Sequence, residues 1–185
     1  MTSETNRIGA LPMWAVVPLT LTLTCYSLLM TRQQTLFPAP QTATGNDDWY
    51  TPKWIFDTLG LTFDLDVASP AGGIPWIPAR RYYTMEDDGL AQTWEGLVWM
   101  NPPFSKVTPW ADRFIEHGNG VALTPFSRSK WLSRMWESSA TMLCLPSNLD
   151  FWRPDGSHMP MSFGAVLWAM GEQAQDALTN LGKTR

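Results

Sequence analysis

Two rhythms of apolar spacing take turns along this chain beyond residue 47. Ile55, Phe56 and Leu59 recur at helical spacing. Thr51 is suited to cap that helix, Pro52 to open it and Gly60 to close it. Phe63-Asp64-Leu65-Asp66-Val67 then alternates with period two and predicts a strand, and the apolar run 97–100 predicts a second. Thr108-Pro109 is suited to start a helix that carries Trp110, Phe114 and Ile115 on one face and stops at Gly118. A third strand is predicted over 120–124, and a helix opened by Ser127 or Ser129 runs through Trp136. Strands over 141–145 and 163–170 and a short helix from Glu172 to Leu181 complete the pattern. Residues 68–95 are rich in loop signals: Gly72-Gly73, several prolines and Glu86-Asp87-Asp88-Gly89. Strands alternating with helices of this length predict an α/β fold, a mostly parallel sheet with helices on both faces. In such sheets ligands bind outside the carboxyl ends of the strands, which is where Asp66 and Asn101 stand.

The N-terminal part follows neither rhythm. No charged residue occurs from Ile8 to Thr31, and the apolar stretch spanning Trp14 and Met30 has about the length that crosses a bilayer, roughly 20 residues. Pro12, Pro18 and several threonines make it a poor anchor. A signal peptide is disfavoured because it lacks a small-x-small cleavage site and the flanking charge is only Arg7 against Glu4. Met30 precedes a polar leader, Thr31-Arg32-Gln33-Gln34, that would serve as an ordinary start, so a misplaced start codon or dispensable extension is the favoured reading of 1–31. Residues 32–47, rich in Gln, Thr, Pro and Ala, read as linker, and 48–185 as the domain.

Composition narrows the chemistry. With 185 residues, 44% hydrophobic and 16% charged, the chain has the makings of one globular domain with a real core. Most of its 11 tryptophans belong in that core or half inside it. A net charge of −4 argues against gripping nucleic acid through global charge. Locally the balance reverses. Between Asn101 and Arg153, Lys106, Arg113, Arg128, Lys130, Arg134 and Arg153 outnumber Asp112, Glu116, Glu137 and Asp150. Cys25 and Cys144 have neither metal-ligand spacing nor a disulfide logic, and His117 and His158 stand far apart. There is no zinc motif, Ser/His/Asp arrangement or P-loop, and no metal is expected.

The strand 97–100 ends directly in Asn101-Pro102-Pro103-Phe104. The Asn101 side-chain oxygen and the Pro102 carbonyl are two acceptors able to face one exocyclic amine. Proline lacks an N–H, and its fixed φ keeps the turn stiff. Phe104 offers a flat face for a planar base, or else fills the core. Such a clamp suits chemistry on an amino group of a nucleobase swung out of its stack. Four residues alone are a hypothesis.

Taken together, Asp48-x-x-Thr51-Pro52, Phe63-x-x-Asp66-Val67-Ala68, Asp88-Gly89-Leu90-x-x-x-Trp94 and Trp99-Met100-Asn101-Pro102-Pro103-Phe104-Ser105 resemble the phage-type DNA N-6-adenine-methyltransferase (Dam-type) family. The resemblance covers roughly residues 46–170. It implies a Rossmann-like S-adenosylmethionine-dependent methyltransferase fold and transfer of a methyl group to adenine N6 in double-stranded DNA with a flipped-out base. It further implies a phage or prophage origin, a role in DNA modification and protection from restriction, and a place in the host cytoplasm, with membrane anchoring only if translation starts at Met1. Asn101, Pro102, Pro103 and Phe104 would be catalytic. Asp66, Thr51, Pro52, Ala68 and Trp49 would meet the donor, with Gly72-Gly73 as a close-approach loop, although a compact Asp-x-x-x-Gly-x-Gly is missing and Ser69-Pro70 interrupts. Thr51 as a plain cap, Asp66 as a turn residue and Trp49 as core stay open.

Asp88 would either order the loop before the catalytic strand or contact the donor. Ser127, Arg128 and Lys130, with Lys106, would face DNA, a helix start being favourable to phosphate. Arg80 and Arg81 would meet phosphate or solvent. Asp150-Phe151-Trp152-Arg153 resembles the family's hairpin region without its lead Arg and is assigned no role. Two rivals remain: the same fold acting on cytosine N4, and a catalytically silent DNA-binding decoy.

Overall fold

Alternate positions of the strands feed two separate cores. Trp99, Val121, Leu123, Leu143, Leu167 and Ala169 pack on one side of the sheet with Ile55, Phe56, Ala174 and Leu178. Val98, Met100, Ala122, Met142, Val166 and Trp168 pack on the other with Ala111, Phe114, Trp131 and Met135. This period-two division of side chains is what places helices on both faces. The computed structural model describes residues 47–147, 149–160 and 164–182. They fall in the compact unit Pro38–Arg185; the unit Met1–Phe37, and with it the apolar run 8–30, lies outside the described residues. Among the described residues no helix is long and apolar enough to cross a membrane.

The elements follow in the order α1 (Lys53–Leu59), β1 (Leu65–Asp66), β2 (Val98–Met100), a 3₁₀ turn (Phe104–Lys106), α2 (Val107–His117), β3 (Gly120–Pro125), α3 (Lys130–Glu137), β4 (Thr141–Cys144), β5 (Asp150–Trp152), β6 (His158–Pro160), β7 (Ala165–Met170) and α4 (Glu172–Leu181). Helices α1 and α4 cover the first face, α2 and α3 the second. The main sheet has the order β1-β2-β3-β7-β4, and β5 and β6 form a separate antiparallel hairpin.

The sheet is mixed, which corrects the expectation of a mostly parallel one. β1, β2 and β3 pair in parallel, but β7 slots between β3 and β4 antiparallel to both. The reason lies in the connections. β4 still points the same way as β3, so the chain that leaves β4 and passes through the hairpin returns into the gap from the opposite end. Direction cannot be read from apolar runs, because buried parallel and antiparallel strands look alike in sequence.

Three local readings also change. Helix α1 starts at Lys53 with Pro52 outside it in an extended conformation (ψ 140°), and the Thr51 hydroxyl makes no capping bond. Thr108 lies inside the first turn of α2, behind the 3₁₀ turn, and Ser129 stands at the α3 boundary without a side-chain cap. The C-terminal signals hold: Gly60 and Gly118 adopt left-handed conformations and donate back to Phe56 and Phe114. Finally, part of the loop-rich stretch works as a sheet edge. Phe63 bridges Ala79 and Asp66 bridges Tyr82, both in parallel, so backbone around residues 78–83 covers the outer side of β1.

Candidate active site

Register sets the site. Asp66 pairs with Trp99, so their side chains share a sheet face, and Asn101, two residues beyond Trp99, continues on it. That face is the one carrying Trp49, Phe104 and the α1 core. Asp66 and Asn101 therefore stand on one face, at the carboxyl ends of neighbouring parallel strands.

Asn101 donates its Nδ2 to the Trp49 carbonyl at 2.6 Å. Its Oδ1 accepts no hydrogen bond among the described residues. The Pro103 carbonyl is occupied by Lys106 N–H at 2.9 Å, whereas the Pro102 carbonyl has no donor among the described residues. Pro102 is buried and Pro103 half-buried. Both expected acceptors are thus without a hydrogen-bond donor among the described residues. Phe104 is half-buried, opens the 3₁₀ turn and packs against the α1-side core.

Asp66 is 2% exposed and makes no ion pair among the described residues. Burial raises its pKa to about 7, while the Ala68 N–H at 3.2 Å and the neighbouring Ser69 hydroxyl pull it back. Ser69 Oγ itself falls short of hydrogen-bond geometry with any group, so desolvation dominates. Four buried side-chain polar atoms lack partners among the described residues. Three of them, Thr51 Oγ1, Ser69 Oγ and Trp99 Nε1, belong to segments that build this edge; the fourth, Arg113 Nε, is on α2. Buried orphans of this kind call for a ligand or water. Trp99 Nε1 lies on a fully buried ring packed against Phe56 and Phe63, whereas Thr51, Ser69 and the Asp66 carboxylate flank the strand ends. The unpartnered Ser69 and Trp99 atoms are not legible beforehand, since nothing in the sequence distinguishes an orphaned hydroxyl or indole from a satisfied one.

The remaining expected donor contacts are placed unevenly. Ala68 lies beside Asp66 and contributes its N–H to it. Pro52 is buried at the α1 entrance, and its carbonyl accepts Ile55 N–H. The Trp49 ring has Arg153 over it at 4.7 Å and meets Phe151 edge-on at 6.1 Å. The β5 strand, to which the sequence assigns no role, thereby packs beside the clamp, and Tyr50 exchanges backbone hydrogen bonds with Trp152. Gly72 and Gly73 both have positive φ, and Gly73 sits against the Tyr82 ring.

The Asp88-Gly89-Leu90 element contributes at least to ordering the loop. Asp88 is exposed, in a left-handed conformation (φ 52°). Gly89 is the critical member: a Cβ there would lie 2.1 Å from the Val67 carbonyl oxygen, and Trp94 Nε1 donates to the Gly89 carbonyl at 2.7 Å. The motif fastens its loop against the exit of β1, next to Asp66.

The loop after β3 leaves the same sheet edge. Ser127 Oγ donates to Ser129 Oγ at 2.9 Å. Arg128, Lys130 and Lys106 are exposed and make no ion pair among the described residues, and Phe126 is 53% exposed beside them. Arg80 and Arg81 instead pair with Asp64 at 2.8 Å and Glu95 at 3.1 Å. Among the described residues no three His, Cys, Asp or Glu side chains gather as a metal would require.

Fold and site define an α/β protein with an acceptor pair and a buried carboxylate at the carboxyl ends of neighbouring strands. The chain belongs to the DNA N-6-adenine-methyltransferase (Dam) family, whose model matches residues 40–144. It is also similar to the DNA N-6-adenine-methyltransferase of Haemophilus phage HP1 (strain HP1c1), 32% identical over 74 residues. That alignment covers 37% of this chain and 41% of the relative, so the chain spans less than half the length of the curated relative it matches.

Proposed function

We propose that this chain methylates the N6 amine of adenine in DNA, with S-adenosylmethionine as donor. The observation that carries the reading is the pair of acceptors, Asn101 Oδ1 and the Pro102 carbonyl, without a donor among the described residues, on the strand next to a buried carboxylate with no ion pair among them. Family membership supplies the substrate class. Asp66 would hold the donor's ammonium, which would account for an acid buried with only the Ala68 N–H and no cation among the described residues. Ser69 and Thr51 hydroxyls would take its remaining polar groups.

When bound, the donor supplies an electrophilic methyl group. Adenine N6 is a poor nucleophile because its lone pair is delocalised into the ring. Asn101 Oδ1 and the Pro102 carbonyl would each accept one N6 hydrogen and favour a more tetrahedral nitrogen. The stiff Pro-Pro turn holds both acceptors before the base arrives, so the contribution is one of positioning and preorganised charge. Phe104 would stack on the flipped base, and Lys106, Arg128 and Lys130, with Ser127, would meet the phosphates. The same-direction set β1, β2, β3 and β4, with one antiparallel strand inserted, is compatible with a Rossmann-like methyltransferase domain over 48–185. A phage or prophage origin, modification of DNA against restriction and work in the host cytoplasm follow from the same reading.

The test is transfer of labelled methyl from S-adenosylmethionine to unmethylated DNA, read by nucleoside mass spectrometry. N6-methyladenine is expected, and Asn101→Ala should lower kcat by about 10²–10³-fold with donor affinity unchanged. N4-methylcytosine would correct the base. Donor binding without transfer would remove the acceptor role of Asn101 and Pro102, and absence of donor binding would leave a DNA-binding decoy.

A further inference from the structure

The loop 101–105 is poor in donors, since Pro102 and Pro103 have no N–H. Three of those it has point to one place. Asn101 Nδ2 goes to the Trp49 carbonyl at 2.6 Å; Ser105 N and Oγ go to the two Asp47 carboxylate oxygens at 3.0 and 2.5 Å. Asp47 also accepts the Trp49 N–H on its own carbonyl at 3.0 Å, which fixes the turn that presents the Trp49 carbonyl. Residues 47–49 thus take up donors of the loop, and its acceptors, Asn101 Oδ1 and the Pro102 carbonyl, are left over.

An asparagine amide can sit either way round at small steric cost, and only its neighbours decide which end faces out. A backbone carbonyl can only accept, so the Trp49 carbonyl selects the NH₂ end. The reversed amide would set two oxygens against each other and turn donors toward the incoming amine.

We propose that residues 47–49 form a strap that positions the clamp, with Asp47 as its anchor and the Trp49 carbonyl as the group that orients Asn101. This rests on the methyltransferase reading for its consequence but not for its geometry. Asp47 is a positioning residue: it touches neither donor nor base in this account, and acts through Ser105 and Trp49.

The experiment compares Asp47→Ala, Asp47→Asn, Ser105→Ala and the Asp47→Ala/Ser105→Ala double variant in the full chain. The side-chain amide signal of Asn101, identified by its loss in Asn101→Asp, is followed by NMR hydrogen exchange. In parallel, kcat, KM for DNA, donor affinity and Tm are measured. In Asp47→Ala the Asn101 amide should exchange about tenfold faster or more, reflecting local opening. Its kcat should fall by up to about 10²-fold, with KM and donor affinity within about threefold. Asp47→Asn, which keeps one acceptor, should recover most of both. The double variant should be no worse than Asp47→Ala, because the two residues act through one contact. An unchanged Asn101 amide, or a lowered Tm with kcat intact, would overturn the proposal. If no variant and no parent chain transfers methyl, the methyltransferase reading falls, while the amide exchange still decides the strap.

Discussion

The two ends of β1 carry carboxylates two residues apart and treat them in opposite ways. At the amino end, Asp64 is fully engaged: Oδ1 accepts from Arg80 at 2.8 Å and Oδ2 from the Leu97 N–H at 2.9 Å. Around it the Gly96 carbonyl receives both His117 Nε2 and Asn119 Nδ2 at 2.9 Å. At the carboxyl end, Asp66 is buried and makes no ion pair among the described residues. Asp64 and the Gly96 carbonyl are satisfied by the protein at one end; at the other, Asn101 Oδ1 and the Thr51 and Ser69 hydroxyls have no partner among the described residues. A cleft of about 290 Å³ does lie toward the amino end, lined by Trp94, Arg113, Glu116 and His117. Its arginine pairs with Glu116 and the Gln92 carbonyl, while its Nε has no partner among the described residues. Unmet hydrogen-bonding capacity occurs at both ends, and what sets the carboxyl end apart is a buried carboxylate with no ion pair among the described residues.

The largest expected contrast is in donor affinity. If Asp66 binds an ammonium, only its ionised form does so. Affinity should then rise about tenfold per pH unit up to the Asp66 pKa of about 7 and level off above it. Asp66→Asn should weaken donor binding by about 10²-fold at pH 8 and abolish the pH dependence, measured by calorimetry. Asp64→Ala should leave both unchanged. A pH-independent affinity in the parent chain would separate Asp66 from the donor.

Stability should separate the same pair with opposite signs. Burial raises the Asp66 pKa above its unfolded value. Below about pH 4 both states hold the proton. Between about pH 4 and 7 the folded protein keeps a proton that the unfolded chain releases, so unfolding free energy falls as pH rises, and above about 7 the loss is complete. In the absence of donor at pH 8, Asp66→Asn should therefore stabilise the protein, on the order of 1–3 kcal/mol. Asp64→Ala should destabilise it by about 1–2 kcal/mol through its lost hydrogen bonds. Urea unfolding at pH 5 and pH 8 measures both.

A steric test of the amino end should be of similar or smaller size. Gly96 has φ 69°, and a Cβ would lie 2.2 Å from Asp64 Oδ2. Gly96→Ala should cost about 1–3 kcal/mol in a chemical melt, with donor affinity preserved. The smallest effect belongs to the exposed cations beyond the carboxyl edge. Arg128→Ala and Lys130→Ala should each weaken DNA binding across all sequences and reduce the salt slope by about 1. A salt slope that stays the same would place the DNA elsewhere.

Much of this arrangement follows from local sequence. Among the described residues apolar spacing marks α1, α2 and the strands of the main sheet, because burial on one face forces a period that side chains reveal. Gly60 and Gly118 announce their helix ends, since few residues other than glycine tolerate the left-handed turn. The Asn101-Pro102-Pro103 acceptors are legible because proline's missing N–H is a property of the residue itself. Other features needed the folded chain. Asp47 reads as linker, yet it holds Ser105 across 58 positions. The expected caps Thr51 and Thr108 fail because neighbouring segments reposition both helix starts. The antiparallel insertion of β7 depends on where the hairpin returns the chain. The sequence by itself determined which residues could accept, donate or bury. The tertiary structure decided which of them were left unsatisfied, because satisfaction belongs to pairs, and the partners here lie tens of positions apart.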